Sequence, residues 1–172
     1  MDFLKLVKKR YSAREFSKKT VDEKDLLKIL EAGRCAPTAA NRQPQKLLVV
    51  QSHDGLQKLS RTARIYNAPV VIVVCADTTA AWTRRYDGKQ TMDIDASIVT
   101  DHMMLMAADL GIDSLWLASF DPAAVRGDFN IPGHLEPVNL LALGYNGGKP
   151  SSPDRHDTER KPLEDIVFKE SF

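Results

Sequence analysis

The run Pro69-Val-Val-Ile-Val-Val-Cys-Ala76 constrains the fold of this chain more than any other stretch. It is unbroken and β-branched, with no polar residue alternating through it. A strand of that kind is buried on both faces, so its sheet needs a layer on each side. The rest of the sequence offers helices to build those layers. Thr20 with Glu23 reads as a capping box that opens a helix carrying Leu26, Leu27 and Leu30, and Ala36-Pro37 closes it. Asp93 to Leu110 reads as a long helix. Ile98, Met103, Leu105, Met106 and Leu110 surround much of its circumference, which predicts burial, and Gly111 stops it. Shorter helices are expected over Asp2 to Lys9, with Phe3, Leu4 and Val7 on one face, over Asp54 to Arg64, and from Asp121-Pro122. Leu47 to Val50, Ser114 to Ala118 and Val138 to Leu143 supply further strands. Asp77 to Gln90 is polar, carries Trp82 and Tyr86, and fits neither period.

Strands that alternate with helices place the chain in the α/β class. No repeat or linker divides it, so residues 1–172 are expected to form one domain. Apolar residues at 43% and charged residues at 27% support a packed core rather than a disordered chain. A net charge of +1 gives no field toward nucleic acid or a membrane surface. No apolar run approaches the roughly 20 residues of a membrane span. Met1 to Lys5 lacks the features of a signal peptide, and a cytoplasmic location is the expectation. Cys35 and Cys75 fit no metal spacing and read as two small buried residues. His53, His102, His134 and His156 are scattered, and Asp93-x-Asp95 reads as helix-start acids, so no metal is expected. No Gly-x-Gly-x-x-Gly follows a strand, and Gly144 to Gly148 lacks the Lys-Ser/Thr of a P-loop. From Asn146 the chain is rich in Gly, Pro, Ser and charge. Residues 146–172 read as an extended arm that ends in the amphipathic piece Pro162 to Phe168 and needs a surface to lie on.

Three segments carry chemistry. Arg10-Tyr-Ser-Ala-Arg14 gathers two cations and a hydroxyl within five residues. Planar guanidinium donors suit a phosphate, although the same residues would also serve as a solvated basic helix end. Ala36-Pro-Thr-Ala-Ala-Asn-Arg-Gln-Pro44 is rich in turn formers, and its small side chains would let backbone groups approach a flat polar ring. Arg61 and Arg64 stand just before the strand entry Asn67-Ala68-Pro69, where solvated helix arginines are the plainer reading.

In order and separation these segments resemble the FMN-dependent nitroreductase family, which begins Arg-x-Ser-x-Arg and continues Ala-Pro-Ser/Thr-x-x-Asn-x-Gln-Pro. Leu115 to Phe120 resembles a family segment that often reads Trp-Ile-Gly-Gly-Phe, with Ala118 and Ser119 in place of the glycines. Arg160-Lys-Pro-Leu-Glu-Asp-Ile-Val167 resembles the ending of short family members. The resemblance implies an α/β (α+β) three-layer fold with a central mixed β-sheet flanked by helices. It also implies a homodimer with the C-terminal arm exchanged between subunits and a tightly but non-covalently bound FMN. On the same basis Arg10, Ser12 and Arg160 meet the flavin phosphate, and Arg14 sits nearer the ribityl chain or the ring. Pro37, Thr38, Asn41 and Gln43 line or support the flavin of the other subunit, and Gln45 stands where many relatives carry an aromatic residue. Arg64, in preference to Arg61, faces the flavin N1 and O2 edge, and backbone N–H groups at Ala118 and Ser119 lie toward N5. No catalytic side chain is implied, because the flavin carries the chemistry. The implied activity is ping-pong hydride transfer from NAD(P)H through the flavin to a nitro compound, quinone or activated alkene. A flavin-binding electron carrier without NAD(P)H turnover, or a reductase specialised for one metabolite, are the rival readings.

Overall fold

The computed structural model describes residues 2–172. Four strands form its sheet: β1 (Gln45–Val50), β2 (Val70–Asp77), β3 (Asp113–Leu117) and β4 (Leu135–Gly144), in the order β1-β2-β4-β3. The expected two-faced strand is β2, and seven of its eight residues are buried. Val71, Val73 and Cys75 enter one core, while Val70, Ile72 and Val74 enter the other. This alternation is the period of two of an extended chain. Helices α2 (Glu23–Cys35) and α4 (Met92–Asp109) cover the second face; α3 (His53–Thr62) and α5 (Pro122–Asp128) cover the first. The three layers are therefore as expected, but the mixed sheet is not. Every pair among the four strands is antiparallel, and the parallel element is a single bridge between Ser12 and Ser114. The reason lies in the crossover β2–α4–β3, which sets those two strands parallel but leaves room between them for antiparallel β4.

At several helix ends and faces the structure differs from the local signals. Asp22, not Thr20, caps α2, its carboxylate accepting from the Lys24 N–H at 2.8 Å. An acid closer to the first turn also answers the helix dipole, which a threonine cannot. Asp121 caps α5 as expected, accepting from Ala123 and Ala124, with Pro122 at the first helical position. On α4 the face against the sheet is Ala96, Val99, Met103 and Ala107; of the five larger residues expected to cover the helix, Met103 alone is fully buried. Small residues allow close approach, and Gly33 of α2 sits where a Cβ would come within 2.8 Å of the Met103 side chain. In α1 (Phe3–Lys9) Leu6 is buried, whereas Phe3 and Leu4 are exposed. Cys75 is buried and burial pushes its thiol up to about 11, while Cys35, expected inside, is exposed.

The stretch from Asn146 is not wholly extended. It includes the short helix α6 (Arg155–Glu159), which packs on the end of α1 in the same chain. Beyond α6 every residue is exposed, including Leu163, Ile166, Val167, Phe168 and Phe172. No helix among the described residues is long and apolar enough to cross a membrane.

Candidate functional site

Arg10 follows α1 and half-buries its guanidinium. Burial first, then the positive charges of Arg155 and Arg160, pull its pKa down, and Asp101 alone pushes back. Three arginines thus converge from the two ends of the chain. Among the described residues none of the three pairs with a carboxylate. Like charges gathered without neutralisation cost free energy, and an anion at this corner would offset that cost. Ser12 is beside them, fixed by its bridge to Ser114 and by the Ala13 N–H, which donates to the Ser114 carbonyl at 2.9 Å. A cavity of about 120 Å³ next to Arg10 is lined by Lys9, Tyr11, Ile112, Asp113 and Ser114. Burial and a hydrogen bond with Asp113 hold the Tyr11 phenol above its ordinary range.

Arg155 belongs to none of the sequence motifs above. Its guanidinium donates to the carbonyl oxygens of Ser152 at 2.7 Å, Lys8 at 3.4 Å and Arg10. His156 Nε2 lies 3.1 Å from the Lys8 carbonyl, and Lys8 Nζ lies 3.8 Å from Asp157. Carbonyls at a helix C-terminus lack partners within the helix, and a basic side chain satisfies them. One face of α6 thereby clasps the end of α1 and brings Arg160 to the corner. The signal in sequence was a second arginine five residues before Arg160, in a segment read as extended.

Arg14, Arg64 and Ser119 belong to one groove along the β3 edge. Two adjoining open concavities, of about 480 and 530 Å³, share Ser60, Ala63, Arg64 and Tyr66. The first adds Arg14, Glu15 and Asn67; the second adds Arg61, Leu117 and Ser119. Arg64 stacks 4.7 Å from the centre of the Tyr66 ring. Ala118 and Ser119 are exposed just past the end of β3. The Ala63–Phe120 bridge ties this strand end to the groove wall. Tyr66 and Asn67 both have positive φ, 55° and 60°. For Tyr66 that conformation costs about 1–2 kcal/mol, a strain of the kind that gathers at ligand sites.

Pro37, Thr38, Asn41 and Gln43 do not join this groove. Val70 shares a row with Leu143, Ser114 and Ser12 at one end of the sheet. Gln45 pairs with Ala76, and the Pro44 carbonyl accepts from Asp77 N–H, at the other end. Seven residue steps along β2 separate the loop's end of the sheet from the Ser12 corner by roughly 23 Å, and no residue of the loop lines the groove. The loop is strained as well: Ala40, Asn41 and Gln43 have φ of 49°, 52° and 50°. Thr38 Oγ1 accepts from the Gln43 N–H at 3.0 Å and closes it.

The Nitroreductase family's sequence model matches residues 7–64 and 51–145 of this chain. A Methanothermobacter thermautotrophicus protein, provisionally named an NADH dehydrogenase/NAD(P)H nitroreductase, is 31% identical over 95% of this chain and 87% of its own length. A nitroreductase family protein from Clostridium difficile 630 has the same fold at a TM-score of 0.98 and 49% identity, covering 100% of each chain. A protein from Desulfovibrio desulfuricans, provisionally named a nitroreductase and solved in complex with FMN, is similar at a TM-score of 0.84 and 25% identity, covering 100% of this chain and 98% of its own.

Proposed function

The chain belongs to the nitroreductase family, and from that premise we propose that it is an FMN-dependent oxidoreductase working between NAD(P)H and an electron-poor acceptor. The observation that carries this reading is the gathering of Arg10, Arg155 and Arg160, none of them in an ion pair among the described residues, in a chain whose groove holds Arg14, Arg61 and Arg64. A terminal phosphate with about two negative charges fits such a corner, and guanidinium donors bind it with charge-assisted hydrogen bonds. Ser12 adds a neutral donor. When bound, the flavin supplies the hydride chemistry; the protein supplies anchoring, polarisation and a shaped slot. Arg64, exposed but fixed by its stack on Tyr66, would hold a positive charge against the ring's pyrimidine edge. Arg14 lines the wall on its other side. Leu117 and Ser119 close the far end, where the exposed strand end offers backbone donors with no side chain large enough to cover them.

A homodimer completes the reading. The arm after Asn146 exposes five large apolar residues, and β3 is an edge strand, open except at its bridge to Ser12. Exposed edges and apolar patches of this kind are normally covered. A second copy would cover both and bring its own Pro37–Gln43 loop to the groove. The interface should exceed the roughly 2,000 Å² of obligate pairs.

Purified protein should be yellow, release FMN rather than FAD on heating, and bleach anaerobically on addition of NADH or NADPH. A colourless preparation that ignores added FMN would end the flavin reading. A yellow one that neither nucleotide bleaches would leave a flavin-binding carrier.

A further inference from the structure

We propose that Asp95 is a positioning residue, which holds the strained Thr38–Gln43 loop in the shape that presents it to a flavin. Asp95 lies in the first turn of α4, and its side chain is 1% exposed. One carboxylate oxygen accepts from the backbone N–H of Ala39 at 2.8 Å, across 56 residues of sequence. The other accepts from Thr91 Oγ1 at 3.0 Å. The remaining hydrogen bonds of residues 37–43 close the loop on itself: Asn41 to Thr38, Arg42 to Ala39, and Gln43 to both Thr38 and Asn41. Among the described residues, the Asp95 bond is the loop's one hydrogen bond to another element.

That asymmetry matters because the loop is strained. Ala40 and Gln43 occupy the left-handed region, which side chains other than Asn and Asp rarely enter. A strained backbone persists only where its surroundings over-determine it. Here the surroundings are one buried acid at a helix N-terminus, whose dipole favours a negative charge. The carboxylate is thus fixed by α4 and Thr91, and it fixes Ala39. The inference rests on the proposed approach of this loop to a flavin, but its first test does not.

Amide hydrogen exchange over Ala39–Gln43 would be measured with and without FMN, on wild type, Asp95→Ala and Asp95→Asn. Asparagine keeps an acceptor oxygen for Ala39; alanine keeps none. Losing a hydrogen bond to a buried charged group should raise exchange over the loop by at least about tenfold in Asp95→Ala, with most of the protection restored in Asp95→Asn. Ala39→Pro removes the donor instead, and should give the same loosening should Asp95→Ala fail to fold. Thr38 is already extended (φ −132°, ψ 155°), the conformation preferred before proline. Unchanged exchange in both Asp95→Ala and Ala39→Pro overturns the positioning role. The second readout is the visible circular dichroism and two-electron potential of bound flavin, which a merely stabilising residue would leave alone. Both should shift in Asp95→Ala and return toward wild type in Asp95→Asn. A loosened loop beside an unaltered flavin would overturn the loop's place at the ring, while flavin-free protein that still shows the exchange effect would sink the flavin reading alone.

Discussion

The corner at Arg10 and the loop at Thr38–Gln43 carry the same kind of signal but are built in opposite ways. Non-glycine residues at positive φ mark the neighbouring groove, at Tyr66 and Asn67, and the loop, at Ala40, Asn41 and Gln43. The corner is knitted into its own chain through the Ala13–Ser114 and Phe16–Tyr66 backbone bonds and the three acceptors of Arg155. The loop hangs from Asp95. The corner gathers three cations, whereas the loop presents small and amide side chains that are exposed or half-exposed. On the proposed reading the two would take different partners: an anion for the corner, and a second chain's flavin for the loop at the other end of the sheet.

Removing the arm tests both halves at once. Truncation after Gly148 deletes Arg155, Arg160 and every large apolar residue of the tail, so flavin retention and dimerisation should both be lost. Light scattering and the visible spectrum of the purified truncation would check this, and a flavin-loaded monomer would refute a shared site. Arg10→Ala attacks the corner alone. It should weaken FMN binding by about 1.5–3 kcal/mol, the scale of a charge-assisted hydrogen bond, while the dimer persists. A flavin titration that gives wild-type affinity would remove Arg10 from the phosphate site.

Arg64→Ala acts on the ring rather than the anchor. Reduced flavin carries negative charge at its pyrimidine edge, so losing a nearby cation should lower the two-electron potential. An exposed charge should shift it by roughly 30 mV, about 1.4 kcal/mol for two electrons. If Arg14→Ala or Arg61→Ala moves the potential and Arg64→Ala does not, the wrong groove arginine was chosen. The smallest signal bears most directly on the contrast between the regions. Arg10→Ala chains co-expressed with Asn41→Ala/Gln43→Ala chains form mixed dimers. If each site takes its corner from one chain and its loop from the other, a mixed dimer has one intact site and one doubly damaged. Random pairing would then restore roughly a quarter of wild-type sites. No recovery above the parents would mean that corner and loop serve the same chain's site.

Much of this was legible in the sequence because it depends on neighbours along the chain. The period of β2, the Asp121-Pro122 start and the Gly111 stop are local, and each formed where expected. The Arg10–Arg14 and Ala36–Pro44 segments stand out in the sequence because their chemistry is gathered within a few positions, which is what let a phosphate and a flat ring be proposed for them. Other features were decided by packing. Antiparallel pairing throughout the sheet follows from β4 entering between β2 and β3, a choice that no single segment encodes. Arg155 reads as an arm residue until α6 folds against α1 and turns it to the carbonyls of Lys8 and Arg10. Asp95 reads as a helix-start acid until the fold sets Ala39 beside it. The sequence alone determined which chemical groups this protein has and the local shapes they prefer. Only the tertiary structure decided which groups meet, because hydrogen bonds and charges act over a few ångströms, and chain positions 56 or 145 apart come that close only through the packing of the whole.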